Sequence, residues 1–274
     1  MKKLIDNPSL GADPELFVFD KVQQKFRSSV GMIGAGKWNP KEMEKGFFAQ
    51  EDNVLVEFNI PPAKTKGDFV FNIESGRWQI KRLLGDRFEL RAQASAFIPM
   101  EELETPEAWE FGCDPDMNAW DRGKVNQKPE TPQDGLRSAG GHIHFGFSPN
   151  ENLLREMEMS IQHLNVELIK LCDLYLGVPS ILMDTDKERR KLYGKAGAFR
   201  HKPYGVEYRV LSSFWLDSKK HIAWAWNQSM RALERASEGD FVKQADGEEI
   251  AYTINQASET SAKALCDKFS LAIA

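Results

Sequence analysis

Gly140-Gly141-His142-Ile143-His144-Phe145-Gly146-Phe147 is the stretch on which the reading of this chain turns. Side chains of a β-strand alternate between its faces, so His142 and His144 share one face while Ile143 and Phe145 share the other. The two leading glycines indicate close approach of another backbone. Three further segments repeat the arrangement. Asp13 and Glu15 stand opposite Leu16 and Val18, with a strand expected over 15–20. Glu57 and Asn59 oppose Val56 and Phe58 in a strand over 54–60 that Pro61 and Pro62 stop. Glu207 and Arg209 oppose Tyr208 and Val210 in a strand over 206–212.

Each of these strands offers an apolar face for helices to cover and a face carrying carboxylate, imidazole or guanidinium groups. Taken singly, each pair has an ordinary explanation. Residues 13–15 suit a turn, Glu57 suits a solvent-facing position, the histidines suit an amphipathic strand, and Glu207 with Arg209 suits an ion pair. Four such pairs in one chain favour a single sheet whose polar faces converge. Carboxylates brought together repel, and hard divalent ions such as Mg²⁺ or Mn²⁺ relieve that repulsion, with imidazole completing the shell.

Around these strands the pattern is mixed. Residues 31–53 read as a glycine-studded loop and 101–140 as an irregular excursion. Apolar spacing at Phe69, Ile73, Ile80, Leu84 and Phe88 predicts a helix over 68–95. A second helix is expected from Ser148 as N-cap, with Pro149 at the first position and Glu151 completing a capping box, to about Gly177. From Asp217 onward two or three helices are expected, with Ile222, Trp226, Met230 and Leu233 facing inward. Strands scattered among long helices indicate an α+β fold, and 274 residues suit one large domain over 1–274.

Composition narrows the function. A hydrophobic share of 41% supplies a core without disulfides. The three cysteines form no CxxC pair, which fits a reducing cytoplasm. Met1-Lys2-Lys3 is followed by no apolar run, so no signal peptide is expected, and no segment approaches ~18 uninterrupted apolar residues. A net charge of −5 argues against generic nucleic-acid binding. Yet 187–202 concentrates Lys187, Arg189, Arg190, Lys191, Lys195, Arg200 and Lys202, which suits either a solvated loop or a localised anionic ligand. Gly31 to Lys37 imitates a phosphate-binding P-loop, but Trp38 stands where a Mg²⁺-binding Ser or Thr is needed. Lys37 remains able to reach a substrate.

These residues resemble a known family. GADPELFVFD (11–20), GGHIHFGF (140–147) and FRHKPYGVEYRVLS (199–212) are similar to catalytic segments of glutamine synthetases. The closer resemblance is to the COOH–NH2 ligase-type amidoligases found in phages, related to glutamate–cysteine ligase. Their elements GxDPE, EDN-x3-EFN, GCDPD, GGHIH and YGKAG-x2-R-x2-PYG-x-EYR occur here in order over about 11–215. The resemblance implies a glutamine-synthetase-like catalytic domain, with a curved, mostly antiparallel sheet and helices on its outer face. Residues 11–215 would supply the catalytic elements and 216–274 a helical remainder. It further implies that Asp13, Glu15, Glu57, His142 and Glu207 hold two or three Mg²⁺ or Mn²⁺ ions. Glu207, Arg200 and Arg209 would serve the reaction, and His144, Arg190, Lys195 and Arg200 would face ATP. The first acid is Asp13 rather than the family's Glu, and its place near the start of the sequence leads to the expectation that the small N-terminal domain of glutamine synthetases is missing.

The implied activity is ATP-dependent joining of a carboxylate to an amine through an acyl phosphate. The two substrates would be small molecules or peptides, with neither nucleic acid nor membrane as partner. The location would be cytoplasmic, in the host cell if the protein is phage-encoded. Three other readings fit the same residues: a guanidino-type phosphotransferase, a two-metal hydrolase, and a non-catalytic binding or virion-associated module. Substrate identities and oligomeric state stay open.

Overall fold

The computed structural model describes residues 3–110 and 116–274. The GCDPD element (112–116) lies outside them except for Asp116, as does Cys113. The long strand β1 (Ile5–Asp20) runs through the middle of the structure. It starts well before the expected 15–20, because Pro8 falls in the irregularity between Asp6 and Ser9, where the ladder is already interrupted. After β2 (Lys25–Arg27), the glycine-rich segment is not all loop: it contains β3 (Lys41–Glu42) and β4 (Phe48–Asp52), which leads through a turn at Asn53 into β5 (Leu55–Asn59).

Thr65 caps α1 (Lys66–Leu84) by accepting the Asp68 amide. This helix stops at Gly85 rather than reaching 95, and Phe88 belongs to β6 (Phe88–Arg91), opposite Asp20 of β1. Short elements then follow: β7 (Ser95–Phe97), α2 (Pro106–Trp109), β8 (Met117–Asn118), β9 (Lys124–Val125) and β10 (Leu136–Ser138). β11 (Gly141–Pro149) continues past the expected helix start, because Ile5 still pairs with Pro149. Ser148 is therefore not a cap. Asn150 accepts the Leu153 amide and begins α3 (Glu151–Glu156). The chain then turns at Glu158, where φ is 52°, and Ser160 caps α4 (Ile161–Cys172). A π-helical turn, Asp173–Gly177, leads into α5 (Val178–Ser180). Next come α6 (Glu188–Leu192), β12 (Ala198–Lys202) and β13 (Gly205–Tyr208), so the basic segment itself supplies a strand and the last strand is shorter than 206–212. The expected C-terminal helices are α7 (Lys219–Glu238), α8 (Gln244–Asn255) and α9 (Glu259–Phe269).

Among the described residues the main sheet has the order β3-β4-β5-β1-β11-β13-β12-β8-β9, with β2 and β6 on the far half of β1. All these neighbours are antiparallel. This is the α+β architecture expected, with a large antiparallel sheet and helices. Val56, Phe58, Ile143, Phe145, Val206 and Tyr208 are buried on the face that the helices cover. α1 packs on β5 and β1, α4 on β12 and β13, and α7 on β1. Gly76 of α1 lets the helix settle onto Phe58, since a Cβ there would collide with the ring. Trp215, fully buried, joins the layers by donating from Nε1 to the Gly141 carbonyl at 3.0 Å and stacking on Phe69.

Candidate active site

Directly opposed residues of antiparallel strands share a face, so the register fixes what the sheet presents. Glu15 lies opposite Glu57, Asp13 opposite His142, His144 opposite Glu207, and Glu207 opposite Arg200. Asp13, Glu15, Glu57, His142 and Glu207, the residues expected to hold metal, therefore meet on one face of four adjacent strands. With Asp52 of β4 they form two groups, Asp13/His142/Glu207 and Glu15/Asp52/Glu57, and within each the potential ligand atoms all lie within 4.8 Å of one another. The groups abut, since Asp13 and Glu15 are successive residues of one face of β1.

The groups differ in how their charge is balanced. Around Asp13, His144 Nε2 lies 3.0 Å and His142 Nδ1 3.4 Å from Oδ1. Burial would raise the Asp13 carboxyl, but the two imidazoles, His144 foremost, hold it well below the usual range. Glu207 has no exposed surface. Arg209 Nη1 donates to its Oε1, and Lys202 Nζ lies 2.7 Å from its Oε2. Burial would raise this carboxyl too, yet Arg209 brings it down to about 2. Burial and the nearby Arg209 lower His142 to about 4, so it is a neutral imidazole able to offer a lone pair. Burial opposes charging of His144, but Asp13 outweighs it and raises the group. Its Nδ1 meets the Tyr204 hydroxyl.

In the second group the nearby cations do not outweigh burial. Burial, and then the Asp52 charge, push Glu15 up to about 7 even though the Gly140 amide donates to Oε2 at 2.5 Å. Burial raises Asp52 despite Lys37 and Arg209. Burial and four neighbouring carboxylates lift Glu57 well above its ordinary value. Three crowded acids of this kind suit a hard divalent cation, which supplies the missing positive charge. The donor sets, three carboxylates in one group and two with an imidazole in the other, fit Mg²⁺ or Mn²⁺.

Beside the second group lies a small pocket of about 50 Å³ lined by Glu15, Asp52, His142, Arg137, Arg189 and Arg209, with Glu110 and Asp116 also on its wall. Arg209 is thus at the site, and its Nε lies 3.6 Å from Asp116. Arg200 shares the polar face through its register with Glu207. Arg190 does not reach this face: it is buried, donating to Ser180 Oγ at 2.7 Å and to the Gly194 carbonyl at 3.5 Å. Its neighbour Arg189 lines the cavity instead, bridging the carbonyls of Val210 and Arg209. Lys195 lines an adjoining cleft that shares Asp116, Tyr193 and Gly194 with the cavity.

Three residues at the site have no individual role legible in the sequence, although Arg189 and Lys202 belong to the basic segment 187–202. Asp52 stands in the EDN element, but β4 was hidden in a segment read as loop. Lys202 lies two residues from Arg200 on β12, an alternation visible only once 198–202 is known to be a strand. Arg189 differs from Arg190 only in which side of a short helix it occupies. The P-loop look-alike is a turn tied down by Glu51, whose carboxylate accepts the amides of Gly31, Ile33 and Gly34 at 2.9, 2.7 and 2.8 Å.

Residues 132–236 match the family described as Phage phiEco32-like COOH.NH2 ligase-type 2, the resemblance the ordered motifs carried. No curated protein matches the chain. Among solved structures, a bifunctional glutathione synthetase from Pasteurella multocida is similar at 12% identity and a TM-score of 0.38, over 96% of this chain and 47% of that one. A novel glutamine synthase homolog is similar at 14% identity and a TM-score of 0.34, over 95% of this chain and 66% of that one. The chain thus spans about half the length of the first and two thirds of the second. Among the described residues no helix is long and apolar enough to cross a membrane.

Proposed function

We propose that the chain is an ATP-dependent carboxylate–amine ligase, one catalytic domain whose two ligand groups each take a divalent cation. The observation that carries this reading is the meeting of Asp13/His142/Glu207 and Glu15/Asp52/Glu57 on one sheet face, with Arg200 and Arg209 beside them. The match of 132–236 to a carboxylate–amine ligase family supports the same class of reaction.

A carboxylate anion is a poor electrophile. Attack by its oxygen on the terminal phosphorus of ATP forms an acyl phosphate and releases ADP. Attack by the amine on the acyl carbon then forms the C–N bond and releases phosphate, while the amine gives up a proton. The cations, when bound, neutralise phosphate charge and orient the phosphoryl group. This chain's residues do the rest. Asp13, Glu15, Asp52, Glu57, His142 and Glu207 fix the positions of positive charge. Arg209, clamped to Glu207, and Arg200 present planar donors to oxygens gaining charge in transfer. The pocket beside Arg189 and Arg209, whose guanidinium groups suit a carboxylate, is where the acid would bind.

Hydroxylamine in place of the amine tests this reading. With Mg²⁺, ATP and a panel of carboxylic acids, hydroxamate should form with at least one acid, and Glu207→Gln or Glu15→Gln should lower the rate about a hundredfold or more. ATP bound by the folded protein with no hydroxamate from any acid would reject the ligase reading.

A further inference from the structure

Both oxygens of Glu207 already face cations, Arg209 at Oε1 and Lys202 at Oε2. A divalent ion held by Asp13, His142 and Glu207 needs one of those oxygens, and it repels whichever cation stays beside it. The two cations are not equally able to make room. Arg209 is buried, reaches His142 Nδ1 at 3.3 Å and Asp116 at 3.6 Å, and its carbonyl accepts from Arg189. Lys202 ends β12, and its side chain keeps 28% exposure. Its ammonium rides on a flexible four-carbon stem and makes a point contact rather than a fork. Lys202 is the one that can leave.

Its destination follows from the strand. Lys202 and Arg200 are two residues apart on β12 and so share the face that carries Glu207 and His144. An ammonium swung off Glu207 lies beside a guanidinium, an arrangement that suits the oxygens of a polyphosphate.

We infer that Lys202 and a divalent cation exchange at Glu207, the displaced ammonium passing to the phosphate chain of the nucleotide that arrives with the cation. The inference rests on the metal- and ATP-binding reading above. Its consequence is coupling: the cation removes Lys202 from Glu207, and the anion rewards its removal, so each ligand improves the site for the other.

Binding measurements on the intact protein test this without turnover. Mn²⁺ alone, and a non-hydrolysable ATP analogue in saturating Mn²⁺, are titrated into the natural protein and Lys202→Met, with Lys202→Gln as a second variant. Removing the competing ammonium should tighten Mn²⁺ alone by about tenfold and weaken the analogue by about tenfold. A merely structural role for Lys202 would move both affinities in one direction. Movement in the same direction, or no change in either, overturns the inference while leaving the metal site standing. Absence of Mn²⁺ binding in all three proteins overturns the metal reading and the inference together.

Discussion

Glu57 shows most plainly what the site asks of single residues. It is buried, and the carboxylates of Glu15 and Asp52 crowd it. Such a residue opposes folding unless an ion is present. In chelator, Glu57→Gln should therefore raise the melting midpoint by about 2–4 °C, while abolishing the further rise that Mg²⁺ gives the natural protein. An unchanged Mg²⁺ response would remove Glu57 from the metal site. The pH dependence has a definite sign. Glu15 is lifted from 4.5 to about 7, so across that window the unfolded chain releases a proton that the folded chain keeps. Stability without metal should fall as pH rises through the window. The Mg²⁺ gain needs the ionised carboxylate and should be largest above about pH 7. Thermal unfolding across this range, with chelator and with Mg²⁺, reads both slopes.

At the scale of elements, the site depends on how β12 and β13 are held. Gly205, with φ of 148°, lies where a Cβ would strike the Phe145 carbonyl. Gly205→Ala should cost about 3 kcal/mol and loosen the hairpin that carries Arg200, Lys202 and Glu207. Behind the sheet, Asp173 accepts from Trp120 Nε1 and the Gly197 amide, both at 2.6 Å, and from the Tyr208 hydroxyl at 2.8 Å. Burial lifts its carboxyl to about 7. Asp173→Ala leaves three donors without an acceptor, two of them buried, and should cost about 3–5 kcal/mol in denaturant unfolding. These elements also mark what the sequence made legible. Alternation at 13–15, 57–59, 142–145 and 207–210 disclosed four strands and their polar faces, because a half-buried strand writes its period into the chain. Three features were harder to read. β4 carries its site residue beside a turn in a glycine-rich stretch, and β12 is masked by Arg200, His201 and Lys202. The helix expected from Ser148 fails because pairing with Ile5 outweighs a local capping signal. Partners distant in sequence decided each of these.

For the whole molecule, the sheet is a device for bringing together residues from 13 to 209 on one surface, with the helices bearing its other side. Asp13, Glu15, Glu57, His142 and Glu207 could be anticipated as a set from their polar faces, but Asp52 and the division into two triads needed the register. The same holds for the choice of Arg189 over Arg190, which depends on how a short helix is rotated against β13. Crystals of the protein grown with Mn²⁺ and a non-hydrolysable ATP analogue, measured for anomalous scattering, test the central claim most directly. The account predicts one peak coordinated by Asp13, His142 and Glu207 and a second by Glu15, Asp52 and Glu57. Bound nucleotide with no anomalous peak at either group, or with Mn²⁺ held by other residues, would contradict it.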